Sequence, residues 1–185
     1  MTAHQYNPEL LIKILVICGI ISTILYFGVD LIAATLLYEG YDYTSQQQSE
    51  LSAIGAPTRL LWIAMTLVYD SLVIAFSIGL WLSAGEKRSV RITSILLGVY
   101  SIIGIIFIFF PTNQHGTAES SSDFGHIIIV ILQLITMFLF LSIGSINSGK
   151  NFHIYSILTL IVMIIAGVVV FTQVDAIAAG EKSSG

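Results

Sequence analysis

The chain has 185 residues, 56% hydrophobic and only 10% charged, with mean hydropathy +0.92 and a formal net charge of -4. Soluble domains carry about 25% charged residues, so a mostly water-facing surface is excluded. The lack of a basic stripe excludes nucleic acid as a partner. The single Cys18 sits in an apolar run, which rules out an intramolecular disulfide and a cysteine-rich metal site.

Asn7-Pro8-Glu9 predicts a helix start: Asn at the cap, Pro at the first helical position, an acid in the first turn. The apolar run over residues 10–37 is too long for a signal-peptide core and lacks a clear cleavage site, so it is expected to stay as span 1. A bilayer needs about 20 apolar residues, so this span tilts or projects beyond the membrane. Asp30 lies within it, with Tyr26 one turn earlier. Tyr41 to Arg59 is the longest polar interval of the chain. Ser45 and Gln48 have capping-box spacing, which predicts a short helix over residues 46–54 on the membrane face. Leu51 and Ile54 are expected to turn down toward the membrane, and Gly55 and Pro57 to end the helix. Thr58 is expected to cap span 2, residues 59–82. Span 3 covers residues 91–110 and is broken by Pro111; span 4 covers 126–147 and span 5 covers 153–174. The tail after residue 174 is small and polar and is expected to fray.

The basic residues set the expected orientation. Lys13, Lys87, Arg88, Arg91 and Lys150 fall on one side, Arg59 and Lys182 on the other. The richer side is cytoplasmic by the positive-inside rule. The N-terminus is then cytoplasmic, and the Tyr41–Arg59 loop, the His115 loop and the C-terminus are extracytoplasmic.

Ionisable groups inside spans are costly and default to functional candidates. Asp70 lies about 18 Å below the outer end of span 2 at a rise of about 1.5 Å per residue, close to the midplane. Thr66 and Ser77 share its face. It reads either as a protonated acid bonded to a neighbouring helix or as a proton, ion or catalytic site. Asp30 lies nearer the outer interface and is expected to pair with Arg59. His126 opens span 4 on the outer side, and His115 precedes it in the loop. With Glu50 and Asp123 they make a His/carboxylate set of the type that binds zinc, without any diagnostic spacing. The bland reading of His126 is an interfacial hydrogen-bonding group. Tyr38, Tyr41, Tyr43, Trp62 and Trp81 read as an aromatic belt, and Gly98 and Gly104 as close-packing positions.

Ser49-Glu50-Leu51, Ala53, Gly55, Pro57 and Thr58, followed by Phe110-Pro111-Thr112 and His126, carry a resemblance over residues 10–174. On these residues the chain resembles domain of unknown function 998, a family of bacterial and archaeal membrane proteins. The resemblance implies a helical bundle in the cell membrane and no established reaction. Two departures stand out: Asn113 follows Phe-Pro-Thr where the family often has Asp, and the family's usual sixth span is absent.

The expected fold is therefore all-α: a single membrane domain over residues 1–185, a polytopic transmembrane bundle of five spans with a short outer-face loop helix. The expected function is non-catalytic binding of a lipid or a membrane partner subunit at the outer face, through Ser49, Glu50, Arg59, His115 and His126. A first alternative is an intramembrane lipid hydrolase using His126 with Glu50, Asp30 or Asp70, with or without a metal. A second is a proton-coupled transporter built on Asp70. Sequence leaves cofactor and metal open.

Overall fold

The structure is a computed structural model that describes residues 7–43, 46–113, 121–146 and 148–183; for residues 121–123 and 170–183 it describes the backbone alone. The described residues are helical with no strand. Helix α1 is Pro8–Ile32 and continues as a π-helical stretch, Ala33–Leu37. A short 3₁₀ helix, Gln48–Ser52, here called the cap helix, lies in the connection to α2, Arg59–Ser83. Helices α3, Arg88–Phe107, α4, Ser121–Ser145, and α5, Lys150–Ser183, follow. Among the described residues, five helices are long and apolar enough to cross a membrane.

The expected start of α1 is present. Asn7 Oδ1 accepts from the backbone N–H of Glu9 at 3.1 Å and of Leu10 at 3.3 Å. Helix α4 is described from Ser121, ahead of His126. The tail expected to fray is helical through Ser183. Its Asp175-Ala176-Ile177-Ala178-Ala179 run is rich in alanine, the strongest helix former. The cap helix is shorter than expected. Ile54 lies outside it and is exposed, while Leu51 is fully buried.

The helices pack in chain order, α1 on α2, α2 on α3 and α3 on α4, with α5 resting more sparsely on α4. The end that carries the cap helix is called the cap end. Along the spans the usual partition is inverted. Large apolar side chains such as Ile24, Phe27, Ile102, Ile135, Val162 and Ile165 face outward. The interior holds Ser22, Asp70, Ser77, Ser94, Ser101, Thr136, Ser145 and Ser156. Hydrocarbon offers Leu and Ile no reason to leave it, so membrane helices associate through small residues and interhelical polar contacts.

Glycines set the close approaches. A Cβ on Gly79 of α2 would lie 2.7 Å from Leu15 Cβ and 3.1 Å from the α1 backbone; one on Gly19 of α1 would lie 2.8 Å from the Phe76 ring. A Cβ on Gly144 of α4 would meet Thr93 of α3 at 3.3 Å. Gly28, by contrast, has open space around it. Overpacking of this kind costs about 1–3 kcal/mol. Gly79→Ala is therefore expected to lower the stability of the reconstituted protein by that amount in SDS unfolding. Gly28→Ala is expected to leave it unchanged or slightly raised.

Candidate functional site

At the cap end, three loops are locked together by backbone and side-chain hydrogen bonds. The cap helix is closed by Glu50: Oε1 accepts from the Gln47 N–H at 3.1 Å and Oε2 from Gln46 Nε2 at 3.1 Å. This capping box joins Gln47 to Glu50, two residues on from the Ser45–Gln48 register expected; Ser45 lies outside the described residues. Ser52 Oγ donates to the Ser49 carbonyl at 2.9 Å, and Ser49 Oγ stands 3.5 Å from Gln47 Oε1. Gly55 turns the chain with φ +86, a conformation that only glycine adopts readily. Thr58 precedes α2 but its hydroxyl does not cap it. The hydroxyl donates to the Leu51 carbonyl at 2.7 Å and is almost fully buried, because the cap helix ends leave that carbonyl without an intrahelical donor.

The cap is tied to the far half of the chain in one place, and that half is itself pinned beside it. The Ile54 N–H donates to the Thr112 carbonyl at 3.0 Å. His126 Nδ1 bonds the Phe110 carbonyl at 2.9 Å, so the proton of that bond is on Nδ1. The His126 ring lies 4.4 Å from Phe107, and Gly125 leaves space that the Phe110 ring fills. Beneath the cap helix, Leu51 packs on Ala33 and Ala34, with Tyr38, Tyr41, Leu61 and Trp62 around them.

The expected Asp30–Arg59 ion pair does not form. Asp30 accepts from Gln48 Nε2 at 3.0 Å, and the same amide's Oε1 accepts from the Tyr26 hydroxyl at 2.8 Å. Arg59 instead donates through Nη1 to the Ser52 carbonyl. Two clefts flank Trp62 and Thr66. One, about 10 Å³ inside, is lined by Leu25, Tyr26, Met65 and Tyr69. The other, about 20 Å³ inside, lies among Ser52, Arg59, Ile63, Phe107, Ile108 and Pro111, where α3 stops short of the start of α2.

Asp70 lies one turn below Thr66 at the α2–α3 seam, 1% exposed. Neither carboxyl oxygen has a hydrogen-bond partner. A Cβ on Gly104 would lie 2.6 Å from Oδ2, so the carboxyl rests on the bare α3 backbone. An unpaired buried neutral group costs about 1–3 kcal/mol, against tens of kcal/mol of Born energy for an isolated buried carboxylate. Ser101, one turn from Gly104, is fully buried with an unpartnered hydroxyl.

Of the residues expected to act together, the structure engages Ser49 and Glu50 in closing the cap helix, has His126 hold the Phe110 carbonyl just past α3, and places Arg59 at a cleft beside the cap. Asp30 bonds the cap helix, and Asp70 lies apart in the seam. His115 and the Asp123 side chain fall outside the described residues. Among the described residues no carboxylate bonds His126 and no three His, Cys, Asp or Glu side chains cluster as a metal site. Sequence reasoning missed Gln48 as the link from Asp30 to Tyr26, and missed Tyr69 and Tyr100. The signal was available: tyrosines away from the interfacial belt need a partner for the hydroxyl, and the Tyr69 ring lies 5.2 Å from that of Tyr26.

A family model described as a protein of unknown function, DUF998, matches residues 20–185. The chain belongs to the DUF998 family. No curated protein and no solved structure matches it. In this DUF998 member the residues that carry the resemblance are those that build the cap: Glu50 caps, Leu51 fills, Gly55 turns, Thr58, Thr112 and His126 fasten.

Thr58→Val keeps the shape and removes the donor from a buried carbonyl. It is expected to cost about 1–3 kcal/mol and to raise hydrogen exchange across the cap helix, while Thr58→Ser restores both. Burial, then the charges of Asp30 and Glu50 and the neighbouring tyrosines, push the Tyr41 phenol up to about 12. An unfolded tyrosine ionises near pH 10, so the Tyr41 contribution is full below about 10 and is lost as pH rises toward 12. Tyr41→Phe is expected to flatten the alkaline loss of cap protection in that window, followed by hydrogen exchange.

Proposed function

We propose that this multi-pass membrane protein is a non-catalytic lipid-binding protein, and that it acts at the extracytoplasmic face. The supporting observation is the cleft beside the cap. Its walls are Trp62, Ile63, Phe107, Ile108 and Pro111, and its one charged group is Arg59. A guanidinium has five donors, and here one is spent on the Ser52 carbonyl. No other partner for Arg59 occurs among the described residues. A planar, weakly hydrated cation beside apolar walls matches a lipid phosphate with an acyl chain below it.

The same geometry supports binding over hydrolysis. His126 is turned to a backbone carbonyl instead of a carboxylate. A lipid lying along the cleft would have its head group at Arg59 and most of its tail in the bilayer. The extracytoplasmic setting follows from the lysine and arginine distribution.

Arg59→Ala removes one charge-assisted contact, worth about 1.5–3 kcal/mol. The variant is expected to retain an anionic phospholipid roughly tenfold less well in native mass spectrometry of protein released from nanodiscs, with a phosphate-free diacylglycerol unaffected. Equal retention of both lipids by wild type and variant would sink the reading.

A further inference from the structure

We propose that Asp70 is a proton-binding site in the α2–α3 seam, entered from the cap end past Thr66. The argument begins with hydroxyls. Ser22, Ser77, Ser94, Thr136, Ser145 and Ser156 are all buried, and each donates to a carbonyl one turn back in its own helix at 2.7 to 2.9 Å. The bundle therefore satisfies its interior polar groups as a rule. The rule lapses at Thr93 Oγ1 near the start of α3, and at the level of Gly104 it lapses twice, at both oxygens of Asp70 and at Ser101.

A charge left there would be unmatched. The titratable side chains around Asp70 are Tyr69 on its own helix, Tyr100 on α3 and Tyr26 on α1, and none is a cation. The positive charge that balances the carboxylate must then arrive from outside the chain. A metal ion does not fit: a hard cation takes about six or more oxygen ligands, while the carboxyl lies flush on the Gly104 backbone, and no metal cluster occurs among the described residues. A proton needs no cavity. It adds to one carboxyl oxygen, the O–H bond forms from an oxygen lone pair, and the charge is cancelled with no other bond broken.

The entry route follows from position. Thr66 lines both clefts and lies one helical turn above Asp70. The cleft bordered by Tyr26, Thr66 and Tyr69 encloses about 10 Å³, the space of about one water molecule. Thr66 and Tyr69, which border that space, lie four residues and one residue before Asp70 on α2, so hydroxyl-bearing side chains meet the space on the helix that carries the carboxyl. The inference is independent of lipid binding at Arg59.

The test is infrared spectroscopy of the full chain in nanodiscs. The wild-type minus Asp70→Asn difference spectrum in neutral buffer is expected to show a carboxylic-acid C=O band, and alkaline buffer to convert it to carboxylate bands. Carboxylate bands already present in neutral buffer would overturn the proposal. Should Asp70→Asn not fold, wild type labelled with heavy-carbon aspartate reads the same band, and the absence of an isotope-shifted acid band in neutral buffer is equally fatal. Thr66→Val is expected to slow the conversion after an alkaline jump roughly tenfold with the same end point. An unchanged rate overturns the entry route. Arg59→Ala should leave the band in place, which keeps failure here distinct from failure of the lipid reading.

Discussion

Hydrocarbon cannot accept a hydrogen bond, and most of this architecture follows from that constraint. A buried hydroxyl must find an acceptor within the protein, and the nearest is the carbonyl one turn back. Ser22, Ser94, Ser145 and Ser156 each take it. Polar groups satisfied in this way lie close to their own helix and take little room. That allows a glycine such as Gly79 to bring two backbones into contact. Packing and polarity are thus one problem in this bundle, solved by small residues inside and large apolar residues outside.

The cap end works under a second constraint. Connections between spans leave backbone donors and acceptors without helical partners, and they must be closed before the chain meets the bilayer. Thr112, from the α3–α4 connection, closes the Ile54 N–H of the cap, while Thr58 closes a carbonyl within its own connection and His126 closes the Phe110 carbonyl just past α3. Leu51, on Ala33 and Ala34, supplies the apolar floor. The cap therefore joins the α1–α2 half to the α3–α4 half at one place, beside the cleft that contains Arg59.

Much of the fold was legible because its signals are one-dimensional. Long apolar runs mark the helices, and Asn7-Pro8-Glu9 marks a helix start that formed as written. Gly104 as a close-packing position was also readable, since few other roles suit a glycine in an apolar helix. What escaped was partner choice. Asp30 and Arg59 are complementary in charge and on the same side, but Gln48 and the Ser52 carbonyl satisfy them first. The deciding quantity is how the loop folds back, which no pairwise rule contains. Thr58 is a similar case: the residue stands at the cap position, but a carbonyl seven residues upstream in a folded loop takes its hydroxyl. The helical tail beyond residue 174 shows that alanine propensity outweighs small, polar character as a guide to fraying.

The spans are unequal. Pro8–Leu37 runs 30 residues and Arg88–Phe107 runs 20. At about 1.5 Å per residue these are walls of about 45 Å and about 30 Å. The annulus of lipid around the molecule thus meets a tall flank at α1 and a low one at α3. Acyl chains must stretch or helices lean on the first side and relax on the second, at fractions of a kcal/mol per ångström of mismatch. A protein shaped in this way has a preferred bilayer thickness. Its two flanks would draw different lipids to themselves even before any head group is recognised.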